Sequence, residues 1–203
     1  RTFNAFIDEL VPLYETHRDE FYKTRIAGFV EKHPYLNNVG ILDVIGKACH
    51  ETYHSKLLEH AWACTSEGRT RLARFIGSLP VYRDRYEIET EHVCRRWSKD
   101  AFHDKRIDLL IRGNGWQIVI ENKIYSEVAT IKRHTQLDNY RRYIEKTMPD
   151  DYDRTLFILL SHRDNSVYCG DCWRYTDYSY VFNSLIASPT DPIIENYLAT
   201  LFR

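Results

Sequence analysis

The sequence predicts an α/β fold, a sandwich of helices around a central mixed sheet of about four to five strands, with a helical extension at its N-terminal end. Three observations predict it. Helical spacing dominates residues 2–79, alternating and continuously apolar runs replace it over residues 86–123, and a long amphipathic stretch then separates those runs from another apolar one at Thr155–Ser161. A strand, a crossover helix and a further strand imply parallel pairing next to the preceding meander, so the sheet is mixed. The 203 residues, 43% of them hydrophobic, suffice for one core.

In order along the chain, Phe3, Phe6, Ile7, Leu10, Leu13 and Tyr14 recur at helical spacing within residues 2–32, with Pro12 expected to kink or divide the helix. The boundary between the extension and the main domain is expected at residues 37 and 38. A second helical pattern runs from Ile41 to about Ala63 with an interruption near Gly46, and Gly68 separates it from a short basic helix over Arg69–Leu79 that Pro80 ends. Residues 86–97 read as a strand. Arg106–Ile111 and Trp116–Lys123 are strands joined by Gly113-Asn114-Gly115, a hairpin signal. Val128–Lys146 reads as one helix capped by Ser126. After the strand Thr155–Ser161 comes a shorter one at Trp173–Thr176. Two helices close the chain, the second started by Asp191-Pro192.

The chemistry concentrates in the hairpin. Charged residues are depleted from buried strands because desolvating them is expensive, yet Asp108, Glu121 and Lys123 sit within or at the end of two such strands. Period-two geometry puts Glu121 and Lys123 on one face. A two-residue turn at Asn114-Gly115 pairs Gly113 with Trp116 and, followed down the ladder, sets Asp108 opposite Glu121. Two adjacent carboxylates repel unless a cation lies between them, and an oxygen-only site with few protein ligands suits Mg²⁺. Lys123 is placed to orient or deprotonate a water, or to offset developing negative charge. The competing reading is a buried ion triad with a purely structural role.

Asp108, followed about a dozen positions later by Glu121-Asn122-Lys123 closing an apolar strand, resembles the PD-(D/E)xK nuclease superfamily, with Ile107 where the motif has proline. Gln136, Tyr140 and Tyr143 share a helix face, and Gln136-Leu137-Asp138-Asn139-Tyr140 resembles the Q-x-x-x-Y motif of several of its branches. Glu51-Thr52-Tyr53-His54-Ser55 is similar to the E-x-x-H-S segment of one bacterial branch, in which an upstream helix adds an acidic ligand. The resemblance spans roughly residues 41–185 and implies a restriction-endonuclease-like fold.

It also implies phosphodiester hydrolysis by one or two Mg²⁺ ions, with Mn²⁺ able to substitute. Asp108, Glu121, the Asn122 carbonyl and Glu51 would hold the metal, Lys123 would position the water, and Gln136 would help arrange the site. Gln136, Tyr140, Lys132 and Arg133 are the implied nucleic-acid contacts, with Arg69, Arg71, Arg74, Arg141, Arg142 and Lys146 as further candidates for phosphate. DNA is favoured over RNA by analogy. The alternative is a catalytically silent nucleic-acid-binding or protein-interaction module on the same fold.

A formal net charge of −1 excludes a protein that coats polyanions generally, so a homodimer or larger complex is the expected means of delivering substrate. The apolar runs are too short to span a bilayer. No leader pattern opens the chain and the five cysteines have no regular spacing, so a cytoplasmic setting is expected, with Cys169 and Cys172 as free thiols.

Overall fold

In a computed structural model, residues 3–77, 85–94, 105–131, 134–188 and 191–203 are described, with residues 3–11, 131 and 134 described by backbone alone. Five strands form one mixed sheet: β1 (Tyr86–Val93), β2 (Arg106–Gly113), β3 (Trp116–Lys123), β6 (Thr155–Ser161) and β7 (Trp173–Asp177), in that spatial order. β1, β2 and β3 pair antiparallel, while β3, β6 and β7 run parallel. Two short strands, β4 (Thr130–Ile131) and β5 (His134–Thr135), form a separate ribbon.

The hairpin turn works as its sequence requires. Gly113 pairs with Trp116, and Gly115 adopts φ +73°, a conformation other residues avoid. The strand β3 is buried along its whole length because both faces of the sheet are covered.

On one face lie α4 (Glu51–Ala61), α5 (Ser66–Ile76), α8 (Tyr178–Ile186) and α9 (Pro192–Phe202). Their Leu58, Leu72, Val181, Leu185 and Leu198 close with Ile118, Ile120 and Ile158 into the larger core. On the other face α6 (Gln136–Thr147) seals Val119, Phe157 and Leu159 with Leu137, Tyr140 and Ile144. The preceding segment is α1 (Phe3–Phe21), a wider π-helical turn (Tyr22–Ile26) and α2 (Ala27–Lys32). It meets the main core through buried Val30 and through Phe29, whose ring lies 6.3 Å from Phe182 and 6.4 Å from Phe202.

Several boundaries differ from the sequence expectation for identifiable reasons. Pro12 stays inside α1 and the interruption falls at the π turn instead. The stretch from Ile41, by contrast, is interrupted near Gly46 as expected. A single turn, α3 (Ile41–Val44), ends at Gly46, whose φ of +65° breaks it, and α4 begins at Glu51. Gly68 is no separator, because it lies in the first turn of α5, where a Cβ would strike the Ala63 carbonyl. Left-handed Gly77 ends that helix, and Pro80 lies outside the described residues. α6 starts at Gln136 under a Thr135–Asp138 capping box, so Ser126 is not its cap. Among the described residues no helix is long and apolar enough to cross a membrane.

Candidate active site

The site forms where the β2–β3 ladder opens. Pairing holds in the expected register as far as Leu109 opposite Ile120. At the next position Asp108 and Glu121 are not a ladder pair. The Asp108 carboxylate instead accepts the Asn122 amide N–H at 2.7 Å, substituting a side chain for the strand partner. On its other side Asp108 stands where the β1–β2 register would bring Glu91, and that pairing is interrupted too, because Glu91 has a left-handed backbone at φ 56°. The Glu91 side chain accepts a hydrogen bond from Thr52 of α4 and meets Arg106 at 3.5 Å. Strict alternation along β1 would put Glu87, Glu89 and Glu91 on one face, and it fails at Glu91.

Lys123 gathers the acids. Its ammonium lies 2.7 Å from Glu121 Oε1 and 3.4 Å from Glu51 Oε2. Glu51, in the first turn of α4, also accepts hydrogen bonds from the Ile124 amide and the Ser126 hydroxyl. Ser126 therefore belongs to the site and not to a helix cap. Asp108, Glu121, Lys123 and Glu51 are thus drawn together from two strands and a helix.

Asn122 faces away from Glu121 and fastens the surrounding elements. Its side-chain amide donates to the Glu51 carbonyl at 3.1 Å and to Ser55 Oγ at 3.2 Å, and its side-chain oxygen accepts from the Tyr178 hydroxyl. It carries the placement of α4 and α8 relative to β3, a role that motif matching did not reveal. Polarity alone did not single it out, since Gln117, Glu121 and Lys123 stand in the same buried strand.

Gln136 Nε2 donates to the Tyr140 hydroxyl at 2.7 Å, and that hydroxyl donates to the Arg106 carbonyl two residues before Asp108. Tyr140 is 1% exposed, so its side chain props β2 from beneath and does not form a nucleic-acid contact surface. Lys132 and Arg133 lie outside the described residues. Among the basic candidates Arg71 is buried and bonded to the carbonyls of Ala61 and Ser188, which makes it a helix anchor. Arg141 donates to Tyr152.

Electrostatics follow from burial. Desolvation pushes Glu121 up to about 7 against the pull of Lys123. Desolvation, then the Glu121 charge, raises Asp108 well above the carboxylate range. The two titrate as a pair. Burial works to lower Lys123, but Glu121, Asp108 and Glu51 outweigh it and hold the ammonium above its ordinary value. These three acids therefore hold Lys123 as a cation.

The acids fit a hard divalent cation. Both Glu121 oxygens are buried and accept no well-directed hydrogen bond among the described residues, the 2.7 Å approach of Lys123 being an ion pair off the bonding direction. The donors available from Asp108, Glu121 and Glu51 are all oxygens. Among the described residues, no three His, Cys, Asp or Glu side chains close into a ready-made cage.

No curated protein and no solved structure matches the chain. A family profile described as the PD-(D/E)XK nuclease superfamily matches residues 39–195. That span begins just before α3 and takes in all five sheet strands with Glu51, Asp108, Glu121 and Lys123, and the chain belongs to the PD-(D/E)XK nuclease superfamily.

Proposed function

We propose that the protein is a Mg²⁺-dependent nuclease that hydrolyses phosphodiester bonds, with DNA its preferred substrate over RNA. Membership of a nuclease superfamily implies a nucleic-acid substrate. The observation that carries the reading further is the buried, hydrogen-bond-poor Glu121 carboxylate beside Asp108 and the Lys123 ammonium. A purely structural triad leaves such acids costly, since buried ion pairs seldom repay their desolvation.

Asp108, Glu121 and Glu51, with the Asn122 carbonyl, would hold the metal. When bound, the ion supplies Lewis acidity at the phosphate and lowers the pKa of a coordinated water. Lys123, held as an ammonium, orients the attacking water and offsets the negative charge that builds on the phosphate. Tyr140 and Gln136 hold the backbone leading to Asp108, and Asn122 keeps α4 in register so that Glu51 stays at the site. The five free cysteines accord with a cytoplasmic setting.

The test is cleavage of linear, nicked and single-stranded DNA and of RNA with Mg²⁺, Mn²⁺ or EDTA, beside Asp108→Asn and Lys123→Ala. Metal-dependent cutting lost in both variants supports the reading. Equal cutting by all three proteins would expose a contaminant, and binding without cutting would favour a silent module.

A further inference from the structure

Next to the catalytic strand stands a column of three nearly parallel rings. Tyr178 and His162 stack with centroids 4.6 Å apart and planes within 8°, and His162 continues to Tyr125 at 5.9 Å and 10°. The column is tied directly to the site. The Tyr178 hydroxyl donates to Asn122, the His162 amide donates to the Lys123 carbonyl at 3.2 Å, and Tyr125 follows Lys123 by two residues.

Its inner end, Tyr178, is buried, whereas Tyr125 is 53% exposed at the outer end. The column is thus open to solvent at its Tyr125 end. His162 and Tyr178 also border a cleft of about 580 Å³ with Tyr175, Phe182 and Phe202, within the range of roughly 300–1,000 Å³ usual for ligand clefts.

Tyr125 does not itself line that cleft, but charge beside the column selects which part of a nucleic acid the rings accept. Asp164 and Asp177 both line the cleft, and two carboxylates repel a phosphate backbone while tolerating a neutral heterocycle. Flat rings open at one end of a stack accept a nucleobase on their π face without reading its identity. Inside a duplex each base is already stacked on both faces and a terminal pair offers only its end face, so an unpaired base extends the column most freely.

We propose that Tyr125 and His162, backed by Tyr178, form a platform that stacks an unpaired nucleobase next to the scissile phosphate, so that the preferred substrate is single-stranded or locally melted. This rests on the nuclease reading for the word scissile, but the platform itself is tested by binding alone. Measured on an Asp108→Asn background with Mg²⁺ present, a single-stranded oligonucleotide carrying 2-aminopurine is expected to bind and to have its fluorescence quenched by stacking. Adding Tyr125→Ala should relieve the quench and weaken single-strand binding roughly tenfold, with little change for a blunt duplex. Tyr125→Phe should retain both signals, which separates stacking from any role of the hydroxyl. An oligonucleotide with abasic positions should bind the background protein as weakly as the intact strand binds the Tyr125→Ala protein.

Equal affinity and equal quenching with and without Tyr125→Ala would overturn the platform, as would failure to bind single strands at all. Cleavage by the otherwise unmodified protein, assayed separately, distinguishes the two claims. Stacking without cleavage would sink the nuclease reading and leave the platform, while cleavage of single strands indifferent to Tyr125 would do the reverse.

Discussion

The Asn122 amide donates to the Asp108 carboxylate at 2.7 Å, one position past the last paired residues of the β2–β3 ladder. The bond holds an acid in place while leaving it next to another acid. Asp108→Asn preserves the acceptor and removes the charge. Cleavage should fall by at least the roughly 10–100-fold that loss of a metal's outer partners brings. Thermal stability should stay level or rise, because a buried like-charge contact is gone. Cleavage kinetics and melting curves on the same preparations check both halves.

Lys123 is the cation shared by Glu121 and Glu51. Lys123→Ala strands a buried Glu121, with an expected loss on the order of 3–5 kcal/mol in urea unfolding. Adding Glu121→Ala should recover part of that loss, since the orphaned charge goes with it. A double variant no more stable than Lys123→Ala would contradict the pairing.

His54 is buried between Tyr197, whose hydroxyl lies 3.0 Å from Nδ1, and the Ala48 carbonyl at 2.8 Å from Nε2. Burial lowers its pKa to about 4, with the Ala48 bond opposing the shift. The unfolded chain therefore takes up a proton on this ring before the folded one does. Its contribution is present above an unfolded pKa near 6.5 and is lost as pH falls towards 4, an effect on the order of 3 kcal/mol. Urea midpoints across that interval should decline in the wild type and decline less in His54→Gln.

Gly40 lies so close to Thr200 that an added Cβ would overlap its side chain and backbone. Gly40→Ala should destabilise by about 1–3 kcal/mol through overpacking where α3 meets α9. Gly28→Ala, with open space around it, should not destabilise in the same unfolding assay.

Much of the fold was legible because it rests on short-range rules. The Asn114-Gly115 turn set the hairpin register, the apolar run Thr155–Ser161 gave β6 its full extent, and Asp191-Pro192 started α9 as expected. The misreadings arose where a tertiary contact overrode a local signal. Gly68 looked like a breaker but is required by the Ala63 carbonyl, and Ser126 looked like a cap but serves Glu51. Charge inside apolar strands pointed to Asp108, Glu121 and Lys123. Nothing local pointed to Asn122 as the fastening of α4 and α8, or to Glu91 at the opened ladder. Their roles depend on elements brought together only by folding.

The ammonium lodged between Glu121 and Glu51 has a consequence for how such a protein matures in the cell. An acidic nest normally waits for an ion before it can settle, which makes folding hostage to metal supply. Here a resident lysine supplies positive charge from the moment the chain collapses. On the nuclease reading proposed above, the fold would thus be complete before the ion binds.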